Sequence, residues 1–255
     1  MTGRLQDKVV IITGAAQGIG LATAQKCGQE GAKIVLSDAN AEKLQEAARQ
    51  LQQNGYDVHA VVCNITDEEH IANLYQEAVA TYGYLSTVVN NAGIFVNNTA
   101  ETFEATTYEK ISDINIKGVM LSTKYAIPYL KRQAGSSIVN LASISGMIGT
   151  KNHNLYIMTK HAVVGITRST AVELGQHGIR VNAVCPGLTD TNMAEQLIEG
   201  DGGGQAIRQA YENAYLLGRL GKPEEVANTI AFLASDEASF ITGALIPVDG
   251  GYTAT

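Results

Sequence analysis

Short runs of β-branched and apolar residues recur along the chain, separated by longer stretches in which apolar positions return every three or four residues. The runs are Val9 to Thr13, Lys33 to Ser37, Val58 to Val62, Thr87 to Asn90, Ser137 to Leu141, Arg180 to Cys185 and Ala244 to Val248. Each has the length and composition of a buried strand. Between them, Ile19 to Glu30, Ala41 to Gln53, Asp67 to Tyr82, Tyr108 to Arg132, Asn154 to Gln176 and Pro223 to Ala234 carry the helical period. Strands alternating with helices of this length predict right-handed crossovers and a parallel sheet covered on both faces. The expectation is an α/β, single-domain Rossmann fold: a doubly wound seven-stranded parallel sheet.

No repeat and no proline-rich linker divides the chain, so residues 1–255 are expected to form one dinucleotide-binding and catalytic domain. One stretch breaks the pattern. In Leu188 to Gly221 the run Gly200-Asp201-Gly202-Gly203-Gly204 interrupts a helix-prone segment, which predicts an irregular, mobile loop over a site.

Composition narrows the class. Apolar residues are 45% and charged residues 17% of the 255, the balance of a packed globular protein. The net charge is -7, and the 18 basic residues are scattered, so no nucleic-acid footprint is present. Cys27, Cys63 and Cys185 are odd in number and far apart, which argues against a disulfide framework or a zinc site and for core thiols in a reducing cytosol. The polar stretch Met1 to Lys8 lacks a signal pattern, and no apolar run approaches the ~20 residues of a membrane span. A cytoplasmic location with no membrane partner is expected. His59, His70, His153, His161 and His177 show no metal-ligand spacing, so no metal is assigned.

The first strand runs into Thr13-Gly14-Ala15-Ala16-Gln17-Gly18-Ile19-Gly20. A glycine-rich turn between a strand and a helix lets a pyrophosphate approach the backbone and rest on the positive end of the helix. The second strand leads to Asp38, eighteen residues after Gly20, where a carboxylate can accept from the adenosine ribose hydroxyls and repel a 2′-phosphate. No cation stands in the turn or directly after Asp38, which favours NAD over NADP. A solvated or helix-capping Asp38 is the structural alternative.

Tyr156 and Lys160, at i and i+4, share one helix face, where the ammonium can lower the phenol's pKa from about 10. Ser143 follows the fifth strand thirteen residues earlier, at the carboxyl edge where open α/β sheets bind ligands. Alone, such a pair is more often a surface contact and such a serine a helix cap. Together with the glycine turn, they resemble the short-chain dehydrogenase/reductase family, and the likeness runs from about Lys8 to Tyr252.

That resemblance implies the rest of the site. Asn90-Asn91-Ala92-Gly93 is similar to the family's segment beside the cofactor, and Asn115 matches an asparagine that bends a helix and holds a water in a proton relay to the lysine. Pro186, Gly187 and Thr189 resemble the segment that contacts the nicotinamide carboxamide, and Val248-Asp249-Gly250-Gly251 the family's closing strand. Ser143, Tyr156, Lys160 and Asn115 are thereby the expected catalytic set. Gly14, Gln17, Gly18, Ile19, Gly20, Asp38, Asn64, Ile65, Asn91, Ala92, Gly93, Tyr156, Lys160, Pro186, Gly187 and Thr189 are the expected cofactor contacts. One departure stands at Asn64, where relatives usually carry an aspartate that contacts the adenine amino group. Its side-chain oxygen is expected to accept instead.

The implied activity is hydride exchange between NAD(H) and a secondary alcohol or ketone. Ile94, Val96, Ser145, Met147, His153, Leu188 and Met193 are expected to face the substrate. They are mostly apolar and lack arginine, which suits a small or medium hydrophobic ketone, diol, diketone or cyclic alcohol. His153 also has the alternative of an exposed position at the helix start, and Met147 and Met193 that of plain packing. Two other functions compete. A 3-oxoacyl-carrier-protein reductase shares the motif order, although such relatives generally prefer NADP and place a docking arginine where Val172 stands. A non-catalytic dinucleotide-binding regulator would have no need of the serine, tyrosine, lysine and asparagine set. Apolar surplus on Tyr108 to Arg132 and Asn154 to Gln176, including Ala162 to Ile166, predicts a homodimer or homotetramer, in which Thr253-Ala254-Thr255 packs or frays.

Overall fold

The computed structural model describes residues 3–254; Met1, Thr2 and Thr255, which belong to the expected polar N-terminus and C-terminal tail, lie outside the described residues. Strands β1 (Val9–Thr13), β2 (Lys33–Asp38), β3 (Val58–Val62), β4 (Thr87–Asn90), β5 (Ser137–Leu141), β6 (Arg180–Pro186) and β7 (Leu245–Val248) form one sheet in the order β3-β2-β1-β4-β5-β6-β7. Every pairing is parallel, as the alternating pattern requires. The side-chain period of two then divides each strand between two cores. Val10 and Ile12 of β1 pack with helices α1 (Gly18–Gln29), α2 (Ala41–Gln53) and α9 (Pro223–Ala234). Val9 and Ile11 pack on the opposite face with α3 (Glu68–Tyr82), α5 (Gly118–Leu130) and α6 (Asn154–Leu174).

The expected single helix from Tyr108 to Arg132 is three joined pieces: α4 (Ala105–Ser112), a π-helical turn over Asp113–Lys117, and α5. A π turn inserts an extra residue into the helical period and rotates the helix beyond it. Here it carries Asn115 into the interior, 1% exposed. The segment expected to be irregular also differs. Residues 188–221 hold two helices, α7 (Asn192–Gly200) and α8 (Gly204–Ala214), and the glycine run supplies only the elbow between them. Gly202, Gly203 and Gly204 all take positive φ there, a conformation that L side chains resist. Arg208 on α8 ties the pair together through Asp190 at 2.8 Å and Glu195 at 2.7 Å.

The surplus apolar surface is distributed differently from the expectation. Val163 and Val164 are buried, whereas Met120 on α5 and Val172 on α6 point outward, the latter 84% exposed. Cys27, Cys63 and Cys185 are buried and unpaired. No helix among the described residues is long and apolar enough to cross a membrane.

Beneath the carboxyl ends of the central strands runs a chain of buried hydrogen bonds that all point one way. Tyr75 hydroxyl meets Ser122 Oγ at 2.7 Å, and Ser122 donates to Asn90 Oδ1 at 2.6 Å. Asn90 Nδ2 donates to Asn140 Oδ1 at 2.8 Å, and Asn140 Nδ2 donates to Thr167 Oγ1 at 2.9 Å. Asn90 and Asn140 are register partners on β4 and β5, so this chain stitches α3, α5, two strands and α6 at one level. Fully satisfied, such a network favours one packing; broken, it leaves polar atoms without water. An Asn140→Ala variant leaves both neighbours short of a partner and is expected to melt roughly 2–10 °C lower. Thermal unfolding followed by circular dichroism measures it, and an unchanged midpoint would count against a structural role for the chain.

Candidate active site

The strand order reverses between β1 and β4: the chain moves outward through β2 and β3, then returns to the other side of β1. Connections leave the sheet in opposite directions at this point, and a crevice opens at the carboxyl ends. A cavity of 660 Å³ occupies it, walled by the ends of β1, β2, β4, β5 and β6 and roofed by α7 and α8.

At its first end is the glycine turn. Gly14 has φ +63°, and a Cβ there would lie 2.8 Å from Ala92 Cα, so backbone meets backbone where a side chain would wedge β1 from β4. Asn91 Nδ2 closes the junction by donating to the carbonyls of Thr13 and Gly14, each at 2.9 Å. Thr13 Oγ1 accepts from the amides of Asn91 and Ala92, each at 3.1 Å. Helix α1 then begins with no side-chain cap and no acidic residue in its first turn. Its amino-terminal N–H groups therefore keep their positive end for an anion. Gly14, Gln17, Gly18 and Ile19 line the cavity. Gly20 lies outside the lining and serves packing, since a Cβ would sit 2.3 Å from Gly14 oxygen.

Asp38 ends β2 at the cavity wall, where its carboxylate accepts from Ala16 N at 3.2 Å and Asn40 N at 2.9 Å. Capping of α2 falls to Asn40, whose side chain accepts from Lys43 N. Asn64 and Ile65 also line the wall. The acceptor expected of Asn64 is, however, already engaged twice: its Oδ1 receives Thr66 N at 3.1 Å and Thr66 Oγ1 at 2.9 Å. With both lone pairs used by its own turn, that oxygen is a poor acceptor for an adenine amino group. A glycine cradle, an uncapped helix start and a fixed carboxylate together fit a nicotinamide dinucleotide.

At the other end stand Ser143, Tyr156 and Lys160. The extended backbone of Ser143 follows β5, and its Oγ accepts from Ser145 N at 3.1 Å. Lys160, 6% exposed, donates from Nζ to Leu141 O at 2.8 Å and lies 5.5 Å from the centre of the Tyr156 ring. Burial pulls the lysine down to about 8. Burial also pushes the Tyr156 phenol up to about 12, against a hydrogen bond from Ser143 that lowers it. The expected lowering of the phenol by the ammonium does not emerge: desolvation dominates, and the opposing influence is the Ser143 hydroxyl. Asn115 stands behind the wall instead of lining it. Its Oδ1 accepts from Ile94 N at 2.9 Å, and its Nδ2 donates to Ile94 O at 2.9 Å and Thr159 Oγ1 at 3.1 Å. Gly93 is the spacer here, because a Cβ on it would be 3.3 Å from Asn115 Oδ1 and 3.7 Å from Lys160 Nζ.

Asn91, Ala92, Gly93, Pro186, Gly187 and Thr189 line the middle of the cavity, and Ile94, Ser145, His153, Leu188 and Met193 its outer part. His153 is 5% exposed, which removes the surface alternative. Val96 and Met147 do not line it. The segment after Gly93 has no regular secondary structure, so Ile94 and the adjacent Phe95 both face the cavity and Val96 does not. Met147 follows a tight turn whose Gly146 is pressed against Lys160 O, and it emerges 38% exposed. Phe95, Leu197, Tyr211, Tyr215 and Tyr252 also line the cavity, beyond the residues expected from the sequence. Only Phe95, beside the Asn-Ala-Gly segment, has a local signal there; the tyrosines arrive through the packing of α8 and the C-terminal turn.

Comparison with known proteins gives this geometry a family. Residues 14–253 match a family model described as enoyl-(acyl carrier protein) reductase. The chain is 39% identical to a 3-oxoacyl-(acyl-carrier-protein) reductase of Thermotoga maritima, covering 97% of this chain and 98% of that protein. It is 37% identical to cyclohexanol dehydrogenase of an Acinetobacter species (strain SE19), covering 99% and 98%. Levodione reductase superposes with a TM-score of 0.93 at 34% identity, covering 98% of this chain and 99% of that one. The chain belongs to the short-chain dehydrogenase/reductase family. It is an oxidoreductase acting on CH–OH groups with a nicotinamide dinucleotide.

The buried ammonium has a measurable consequence. Lys160 sits near 8 in the folded protein and near the ordinary 10.5 when unfolded, so between those values the unfolded chain binds more protons. Its contribution to folding therefore becomes more favourable as pH rises through that window. Lys160→Met lacks this titration: its midpoint relative to the parent is expected to be higher at pH 7 than at pH 9.5. Paired thermal melts read it, and a pH-independent difference would overturn the assignment of a depressed lysine.

Proposed function

We propose that the protein interconverts neutral secondary alcohols and ketones using NAD(H), with Tyr156 as the acid/base group. The observation that carries this reading is one cavity that holds the glycine cradle and Asp38 at one end and Ser143, Tyr156 and Lys160 at the other. When bound, the nicotinamide supplies the acceptor or donor of hydride. Tyr156 takes the hydroxyl proton in oxidation and returns it in reduction. Ser143 Oγ hydrogen-bonds the substrate oxygen and the phenol, holding the reacting oxygen within reach of its proton partner. Lys160 orients the sugar of the cofactor and supplies positive charge to a phenolate that burial alone disfavours. Asn115 fixes the chain at Ile94 and, through water, connects the lysine to solvent.

Asp38 supports NAD over NADP. Its carboxylate is held in place by two amides, and a 2′-phosphate beside it would meet a fixed like charge. The lining near Tyr156 supports small or medium apolar substrates, including diols, diketones and cyclic alcohols: Ile94, Phe95, Leu188 and Met193 stand there without arginine. The Thermotoga relative favours a second reading, reduction of carrier-bound 3-oxoacyl groups. Against it stands Val172, outward and uncharged where carrier docking uses arginine. The exposed Met120 and Val172 support a dimer or tetramer built on α5 and α6, and a concentration-independent monomer in ultracentrifugation would remove that part of the reading.

Absorbance of reduced nicotinamide tests the reaction. With NAD and a panel of secondary alcohols, diols and cyclic alcohols, the parent is expected to turn over. Tyr156→Phe is expected to lose about 10²–10⁴-fold in kcat while still binding the cofactor. Turnover of carrier-bound substrates alone, with NADPH, would establish the second reading. For the cofactor, Asp38→Ser with an arginine added beside it is expected to shift kcat/KM toward NADP, and unchanged preference would show that Asp38 is not the selector.

A further inference from the structure

Among the described residues, His153 is the one side chain lining the cavity wall whose buried polar atom has no hydrogen-bond partner, its Nε2. The ring is held on two sides. Nδ1 meets Thr150 Oγ1 at 3.1 Å, and the edge of the Phe95 ring approaches at 5.0 Å between centroids and 82° between planes. The backbone that carries it is tied down by a bridge between Asn98 and His153. Across from Nε2, at 3.8 Å, lies Oδ2 of Asp201, the residue that ends α7 at the lid elbow. Asp201 already joins roof and wall: Tyr211 of α8 donates to its Oδ2, and Asn97 Nδ2, from the wall segment beside Asn98, donates to its Oδ1 at 3.1 Å, so a bond from His153 would be a second tie to the wall.

A gap of 3.8 Å exceeds hydrogen-bond distance by about 1 Å. An orphaned buried nitrogen costs more than an exposed one, because no water replaces the missing partner. Burial holds the imidazole pKa below its ordinary value, against the pull of Asp201, so the ring is neutral and carries a single N–H. A threonine hydroxyl can donate to Nδ1, whereas a carboxylate can only accept. The tautomer that satisfies both neighbours is therefore the one with the proton on Nε2.

We infer that His153 and Asp201 are a positioning pair: Nε2–H of His153 donates to the carboxylate of Asp201 when the elbow between α7 and α8 seats, fixing the roof of the substrate cavity to the helix that carries Tyr156. The link is short. His153 caps the start of α6 and stands three residues before Tyr156, so the same turn holds both the acid/base group and the lid's anchor. Three features commit the lid to this contact. Its glycines leave the elbow free to rotate, Arg208 makes α7 and α8 move as one body, and Asp201 is the acidic side chain that the elbow presents to the wall. The assignment adds to the proposed function and rests on it only for the kinetic arm of the test.

The test is a double-mutant cycle with His153→Leu, Asp201→Asn and both together, and with His153→Gln as the conservative replacement that keeps an N–H donor. Two readouts are taken: the rate of subtilisin nicking within residues 200–204 of the folded protein, and KM and kcat for a secondary alcohol that the parent turns over. His153→Leu is expected to be nicked about fivefold faster, as for the loss of one hydrogen bond, and Asp201→Asn at least as fast, since it also disturbs the bonds from Tyr211 and Asn97. The double variant is expected to be no faster than Asp201→Asn alone, because the partner of His153 is already gone. His153→Gln is expected to recover part of the protection, and the kinetic change to fall on KM more than on kcat. Nicking at the parent's rate in both single variants, or rates that multiply in the double, would overturn the pair. If His153→Leu shows no cooperative melt, Asp201→Asn and His153→Gln decide by the same readout. A parent that turns over no secondary alcohol would overturn the proposed function, and the nicking rates would still decide the pair.

Discussion

The structure depends on how closely β1 and β4 approach at their carboxyl ends. These neighbours hand the chain to opposite sides of the sheet, which leaves a crevice that must be both open and held at fixed width. Thr13 and Asn91 hold it with four hydrogen bonds between side chain and backbone. Gly14 permits the contact by having nothing between itself and Ala92. Everything assigned to the dinucleotide depends on that width: the direction of α1, the exposure of its first amides, and the reach from Asp38 to Lys160.

Floor and roof of the cavity are built by different physics. Below, the asparagines of β4 and β5 sit in a buried, one-directional relay of hydrogen bonds, surrounded by two apolar cores. Above, α7 and α8 bury few residues, and they are joined by exposed ion pairs to Arg208, each worth little on its own. On this fixed floor stand Tyr156 and Lys160 on a long helix and Ser143 at a strand end.

Much of this is legible in the sequence because it rests on local rules. The period of two and the period of 3.6 locate the strands and most helices to within a residue or two; α2 coincides with its expected bounds, and β1 and β5 do as well. The glycine turn, Asp38, Ser143 and the Tyr156–Lys160 spacing bring into one cavity residues that lie more than a hundred positions apart. The features that escape depend on tertiary context. The π turn at Asp113–Lys117 leaves no signal in the helical period, and only the resemblance, through Asn115, points to a bend there. The lid helices are hidden by their glycines, which mark an elbow of a few residues instead of a long irregular segment. Asn64 reads as a neighbour for adenine because residue type reports capacity, whereas Thr66 has already taken it. Val96 and Met147 are misplaced for a similar reason: proximity in sequence to a strand end does not say which way a side chain in a loop turns.

The relay beneath the floor has a consequence for how this protein can change. Each member both gives and takes a hydrogen bond in a set direction, so Asn90, Asn140, Ser122 and Thr167 can be exchanged only in combinations that keep the direction of donation. A single step leaves an orphan. The roof has no such coupling at most of its positions: Met193 and Leu197 touch the cavity from α7, and Leu188 from the loop before it, through apolar side chains. Divergence toward new alcohols is therefore channelled: the residues free to drift one at a time are those that roof the cavity, whereas α6, which carries Tyr156 and Lys160, is tied at Thr167 into a layer where drift requires several simultaneous changes.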